Sequence, residues 1–202
     1  MRILYLLILF NLQFLKGYSL DKLSSDYLIA FGNPDSPIKI VQYFSFTCPH
    51  CLTLYRKDFH EVKTKYLETV SWVFHPVPMD LLTVQAMDCL EKLSAREKRL
   101  FLESLLDVIP LDGSALSVLY MQKAMELFEK PIKELQKKEY LSNTKAFQDA
   151  FLFIKQKDKI NAVPSVEIND LLYANEIPDI AFIDKKVQEL LQAEKNSKKE
   201  GE

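Results

Sequence analysis

Between Phe46 and Leu52 the chain changes its hydrophobic period, and this change restricts the fold more than any other feature of the sequence. Ile38 to Phe46 reads IKIVQYFSF, an apolar and β-branched run preceded by Asn33-Pro34-Asp35-Ser36-Pro37, which is the pattern of a largely buried strand. From Pro49 onward, Leu52, Tyr55, Phe59, Val62 and Tyr66 fall at i, i+3, i+7, i+10 and i+14, one stripe of an amphipathic helix. A second strand pattern, Val70 to Phe74 (VSWVF), closes on Pro76 and Pro78. Strand, helix and strand in this order predict a βαβ unit with parallel pairing and a right-handed crossover.

The next eighty or so residues, 81 to 160, are helical in pattern almost throughout. Leu102, Leu105, Leu106 and Ile109 follow i, i+3, i+4, i+7, as do Phe147, Ala150, Phe151 and Ile154. Val118, Met121, Met125 and Phe128 make a looser stripe between them, and Pro110, Gly113 and Pro131 punctuate the segments. Strand patterns return at Ser165 to Asn169 (SVEIN) and Leu171 to Ala174 (LLYA), close enough for a tight hairpin. A closing helix begins near Asp179 with Ile183, Val187, Leu190 and Leu191 on one face, and the charged tail from Glu194 reads as frayed. The expected organisation is an α/β unit over residues 20–80 and 161–202, an inserted helical subdomain over 81–160, and a leader over 1–19.

The leader, MRILYLLILFNLQFLKGYS, has a positive start at Arg2, an apolar run from Ile3 and a small-x-small close at Gly17-Tyr18-Ser19, the shape of a secretory signal. A retained membrane anchor is the alternative, although the run falls short of the about 20 apolar residues that span a bilayer. Cleavage after Ser19 would leave 183 of the 202 residues and remove Arg2 and Lys16, so that 24 Lys and Arg face 28 Asp and Glu, a formal charge of −4. That balance gives no basic excess for nucleic acid. With four glycines in all, one of them in the leader, the chain has no glycine-rich phosphate loop or dinucleotide fingerprint. A chain of this size can fold without disulfides, and its three cysteines, Cys48, Cys51 and Cys89, cannot all pair within one molecule.

Cys48 and Cys51 lie in SFTCPHC, where the strand pattern ends and the helix pattern starts. Pro49 sits in the first helical turn, where its missing N–H costs nothing. A thiol at a helix N-terminus faces unpaired backbone N–H groups and the positive end of the helix dipole, both of which favour the thiolate. Cys48 is therefore the expected nucleophile, and His50, when protonated, adds to the stabilisation. Cys51, one turn further in and less exposed, is close enough to form a short disulfide with Cys48 and to resolve a mixed one. Stabilising the thiolate favours the reduced pair over the disulfide, which makes such a pair an oxidant of other proteins. C-x-x-C also occurs in zinc ribbons and haem sites, but Leu52 stands where haem attachment needs His. No second paired ligand motif is present to close a tetrahedral zinc site, so no metal is expected.

SFTCPHC followed by AVPSVEIN (Ala162 to Asn169) resembles the DsbA-like thiol:disulfide oxidoreductases of the thioredoxin superfamily. The resemblance covers nearly all of the chain after the leader. It implies an α/β thioredoxin fold with an inserted helical subdomain, in an exported, periplasmic protein that introduces disulfides into others. By this resemblance Cys48 is the nucleophile, Cys51 the resolving thiol, and Pro49 and His50 the dipeptide that tunes them. Pro164 is implied as a cis-proline facing the disulfide, and Val163 as the residue that offers its backbone to substrate. Gln42 occupies the position, six residues before Cys48, where many members carry a buried acid; Gln cannot titrate, and the proton route is open at that point. The implied partners are unfolded or reduced exported proteins and a DsbB-like membrane protein that reoxidises the pair. The implied redox group is the Cys48–Cys51 disulfide with no further cofactor, in a monomer without the dimerisation domain that isomerases commonly add.

Beside these readings stand plainer ones. Cys89, in the first inserted helix, reads as a buried, inert thiol. His60, His75 and Trp72 and the phenylalanine and methionine stripes read as surface or core residues, and the Lys and Glu runs near 130–140 and 194–202 as solvated faces. A reductase or isomerase of the same fold is the nearest functional alternative, and a non-catalytic, chaperone-like binding module the more distant one.

Overall fold

A computed structural model of the chain describes residues 27–108, 115–128, 145–156, 160, 162–173 and 179–200. The leader, Ile109, Pro110, Gly113, the run near 130–140 with Pro131, and Ala174 lie outside the described residues, as do the side chains of Leu106, Val118, Met121, Phe128, Ala150 and Ile154.

The predicted βαβ unit is present. Strand β1 (Ile29–Gly32) precedes it; β2 (Lys39–Phe44) and β3 (Ser71–Pro76) pair in parallel, with Ile40 opposite Trp72 and Gln42 opposite Phe74. Between them runs one helical rod, made of α1 (Pro49–Leu54), a π-helical segment (Tyr55–Phe59) and α2 (His60–Tyr66). All five stripe residues, Leu52, Tyr55, Phe59, Val62 and Tyr66, are buried. The π segment was not legible from their spacing. It sits where Phe59 stacks on Tyr55 at 5.0 Å and meets Phe74 edge-on at 4.7 Å and Trp72 at 5.3 Å.

Strand β4 (Ser165–Ile168) pairs antiparallel with β2, and β5 (Leu171–Tyr173) returns along β4. Asn169 and Asp170, with φ of 46° and 67°, form the two-residue turn between them, residue types that tolerate the left-handed region such a hairpin needs. The sheet order is β1-β3-β2-β4-β5. β1 is an edge strand of four residues, too short for its alternation to predict it from the sequence: Ile29 and Phe31 point inward while Ala30 and Gly32 are exposed.

Because side chains alternate along a strand, β2 serves two cores. Ile40 and Phe44 belong to the cluster that includes Cys51, Leu52, Tyr55 and Phe59, whereas Val41 and Tyr43 pack with Val73, Val77 and Ile160 on the other face. This is the thioredoxin fold. The helical insertion leaves β3 through Val77–Asp80 and comprises α3 (Leu81–Glu91), α4 (Ala95–Val108), α5 (Ala115–Phe128) and α6 (Lys145–Gln156). Its core side includes Ala86, Met87, Cys89, Leu90, Phe101, Leu102, Leu105 and Met125. Phe151, expected in the core, is 55% exposed. Its ring lies along that of Phe147, one turn earlier, at 6.0 Å, so each shields a face of the other.

The closing helix α7 (Ile180–Glu200) starts where expected, with Asp179 Oδ1 accepting from the Phe182 N–H. It continues through the tail read as frayed, since the Lys, Glu and Gln residues there favour helix and Gln192 bonds Asn196 one turn on. Among the described residues, no helix is long and apolar enough to cross a membrane.

Gly32 closes β1 at φ +80°, and a Cβ there would lie 2.1 Å from the Val70 carbonyl oxygen. Gly32→Ala should lower stability by at least about 1–3 kcal/mol, because the strained backbone and the clash add. Equilibrium denaturation checks this, and a variant as stable as the parent would contradict it.

Candidate active site

Strand β2 ends at Phe44, and Ser45 to Thr47 turn the chain into α1. The Cys48 N–H donates to the Ser45 carbonyl at 3.2 Å, which leaves Cys48 as the N-cap of the helix with extended backbone, φ −83° and ψ 112°. In that conformation its Sγ swings back over the first turn and accepts from the Cys51 N–H at 3.3 Å. The sulfur thus takes the place that a Ser or Asp oxygen occupies in an ordinary cap. Pro49 lies at the start of the helix, His50 is exposed, and no acidic residue stands in the first turn to oppose an anion.

The two sulfurs differ sharply. The Cys48 thiol is lowered from 9.0 to about 6, first by the hydrogen bond from the Cys51 side chain. Partial burial works against the lowering, while the backbone N–H groups of Cys51 and His50, and last the charge of His50, add to it. Cys51 is 2% exposed. Burial, then the hydrogen bond to Cys48 and the Cys48 charge, push its thiol far upward. One sulfur, half-buried, is favoured as an anion, and the other is a buried, protonated donor behind it.

Chain from the far end of the sequence faces this pair. The Val163–Pro164 peptide bond is cis, and the Cys48 Sγ lies 3.6 Å from the Val163 carbonyl oxygen, 115 residues away in sequence. Val163 is half-buried and Pro164 buried; the Ser165 hydroxyl donates to the Ala162 carbonyl at 2.7 Å and closes the turn at the start of β4. Gln42 is 1% exposed on the β2 face shared with Ile40 and Phe44, the face that packs on Cys51 and the helical rod. Its Oε1 has no hydrogen-bond partner.

Cys48, Cys51 and Val163 with the adjoining Pro164 therefore meet, with Gln42 in the layer beneath. Cys89 is buried in α3. His75 is buried between the rings of Tyr27 and Tyr43, with Nδ1 3.0 Å from the Pro76 carbonyl, and His60 is exposed beside Tyr55. Among the described residues, no group of three or more His, Cys, Asp or Glu is placed to hold a metal ion.

Two polar arrangements escaped the sequence reading. On the opposite face of the sheet, buried Tyr43 donates to Glu167 Oε2 at 3.0 Å, and burial followed by the Glu167 charge pushes the phenol upward. Directly before the cysteines, Ser45, Thr47 and Thr83 converge on the carboxylate of Asp80. Asp80-x-x-Thr83 after a proline carries a helix-cap signature, but its meeting with Ser45-x-Thr47 is a contact between segments that no local pattern encodes.

Comparison with known proteins agrees with this fold. The sequence model of the family described as Thioredoxin matches residues 24–185. A "Putative protein-disulfide oxidoreductase" of Rickettsia bellii (strain RML369-C) is 49% identical over 41 residues, which are 20% of this chain and 16% of that protein. The match thus spans under a fifth of the relative's length. Among solved structures, BdbD from Bacillus subtilis (oxidised) superposes with a TM-score of 0.66 at 18% identity, over 84% of this chain and 95% of that one. Chlamydia trachomatis DsbA gives 0.61 at 16% identity, over 82% and 90%. At these identities the likeness is one of fold.

The asymmetry of the sulfurs sets a pH dependence. Alkylation of the reduced protein should show one thiol with a midpoint near about 6, Cys48, and none from Cys51 in the same range. Since the folded Cys48 value lies below the ordinary 9.0, its stabilisation of the reduced fold is complete above that value and is lost as pH falls through about 6. Thermal melts of reduced and oxidised protein across that window should diverge as pH rises; parallel curves would contradict the assignment.

Proposed function

Because the chain belongs to the thioredoxin family, we propose that it is an exported DsbA-like thiol:disulfide oxidoreductase that introduces disulfides into reduced proteins through Cys48 and Cys51. The observation that most supports this reading is the N-cap geometry: Cys48 Sγ accepts the Cys51 N–H at 3.3 Å while Cys51 stays buried and protonated. A sulfur stabilised as its anion is a good leaving group, which drives the pair toward its reduced form at the expense of substrate thiols.

In the oxidised enzyme, a substrate thiolate attacks Cys48 Sγ. The bond from substrate sulfur to Cys48 forms, the Cys48–Cys51 bond breaks, and its electron pair leaves on Cys51, which takes up a proton. A second substrate thiolate then attacks the substrate sulfur of the mixed disulfide, forming the substrate's own disulfide and expelling Cys48 as a thiolate. Two electrons have passed from substrate to enzyme, and the cysteine pair is the one redox group the scheme requires. Pro49 and His50 shape the helix terminus. The Val163 backbone, beside Pro164, binds an extended substrate segment in this reading, which its carbonyl's approach to 3.6 Å from Cys48 Sγ supports. Gln42, on the β2 face beneath the site, carries no titratable acid, so the proton for the leaving Cys51 comes from another source. A DsbB-like membrane partner would accept the two electrons and restore the disulfide, with the chain acting as a monomer.

A reductase or isomerase of the same fold would use the same two sulfurs in another direction. Cys48→Ser should abolish oxidation of a reduced, unfolded test protein, leaving the uncatalysed background. Cys51→Ser, given oxidised glutathione, should instead hold a mixed disulfide, as the Cys48 thiolate displaces one glutathione thiolate, visible as a mass increase on Cys48 that a reductant removes. Undiminished activity of Cys48→Ser would overturn the reading.

A further inference from the structure

The hydroxyl cluster in front of the cysteines has a defined polarity. Asp80 Oδ2 accepts from Ser45 Oγ, Thr47 Oγ1 and Thr83 Oγ1, each at 2.8 Å. Two of these hydroxyl oxygens already accept from the backbone: Ser45 Oγ from the Thr47 N–H at 3.1 Å, and Thr83 Oγ1 from the Phe46 N–H at 3.3 Å. With lone pairs engaged toward the main chain, their protons point to the shared oxygen, which must be a pure acceptor. The hydroxyls also crowd one another, at 2.9 Å between Ser45 and Thr47 and 3.1 Å between Ser45 and Thr83. An ionised carboxylate resolves that crowding by giving all three protons one destination. Its other oxygen, Oδ1, caps α3 through the Thr83 N–H at 2.8 Å. Ser45 and Thr83 are buried, and among the described residues Asp80 makes no ion pair, so hydroxyls and a helix terminus satisfy its charge.

The consequence falls on the next residue. Ser45 receives the Cys48 N–H on its carbonyl, and the Thr47 N–H on its hydroxyl, so the whole turn that aims Cys48 hangs from Ser45. We infer that Asp80, at the mouth of the helical insertion, is a positioning residue for the redox centre, clamping the Ser45–Thr47 turn so that Cys48 holds the N-cap conformation in which its sulfur reaches the helix terminus. The inference rests on the proposed role of Cys48. It also gives the insertion a task in the chemistry, because α3 carries the clamp to the active turn. The titratable groups in this arrangement are His50 and Cys51 on α1 and Asp80 itself, with the neutral Val163 carbonyl on the opposite side.

Two effects of removing the Asp80 charge have opposite signs. Lost electrostatic repulsion would lower the Cys48 midpoint, whereas lost geometry would raise it by weakening the hydrogen bonds to Sγ. Asp80→Asn keeps an oxygen to cap α3, since Asn caps as well as Asp, but turns an amide donor toward three hydroxyls. In the full-length protein, the alkylation midpoint of Cys48 should rise by about one pH unit, a tenfold loss of thiolate below the midpoint. Thr47→Val should shift it the same way, and the double variant should shift it no further than Asp80→Asn alone. Asp88→Asn, which breaks a pair with Lys92 at the C-cap of α3, should leave it unchanged. An unchanged or lowered midpoint in Asp80→Asn, or an equal rise in Asp88→Asn, overturns the inference. If Asp80→Asn does not fold, as judged by melting of its oxidised form, Thr47→Val decides, because it leaves the α3 cap in place. A parent protein lacking a lowered midpoint would instead defeat the reading of Cys48, whatever Asp80 does.

Discussion

One hydrogen bond organises the site: the Cys51 N–H to Cys48 Sγ at 3.3 Å. A helix start leaves backbone donors without partners, and in most proteins a side-chain oxygen satisfies one of them. Here a sulfur does, and the same bond that caps the helix stabilises the sulfur as an anion. Structural and chemical demands coincide in a single atom. The thiolate is stable because the helix needs an acceptor, and the helix begins at Pro49 because a cap stands before it. The Cys51 side chain reinforces the effect from behind, as a buried donor that gives up its proton with difficulty.

That bond depends on contacts brought from three parts of the chain. Strand β2 is held between β3 and β4 and delivers the turn at a fixed height above the sheet. The segment before β4 brings the Val163 carbonyl oxygen to 3.6 Å from the sulfur, where it can accept from the Cys48 S–H while that thiol is protonated. The first inserted helix brings Asp80 and Thr83 beneath the turn. The insertion is consequently continuous with the site, and its buried residues, Met87, Leu90 and Phe101 among them, share one core with Phe44, Phe46 and Leu52.

Much of this was legible from residue spacing, because the responsible patterns are local. The period change at Cys48 located the strand–helix junction, and the stripe from Leu52 to Tyr66 named residues that are all buried. The family resemblance, rather than spacing, pointed to Pro164. What escaped was either too short or too distant. Strand β1 has four residues and two buried side chains, below what a pattern can distinguish from a loop. The π segment leaves no trace in a stripe whose members remain buried on both sides of it. The Asp80 clamp joins residues 33 to 35 positions apart, and the pairing exists only once β3 has placed Asp80 beside the turn. The helix runs through the charged tail despite its polarity, because Lys, Glu and Gln are good helix formers.

The proposed stabilisation of the reduced pair by the helix terminus would make the protein an oxidant. Its reduction potential, measured by equilibration with glutathione, tests that directly. A value well above that of thioredoxin is expected, between about −200 and −120 mV. A potential at or below about −270 mV would mean that the disulfide is the preferred state and that the protein acts as a reductant.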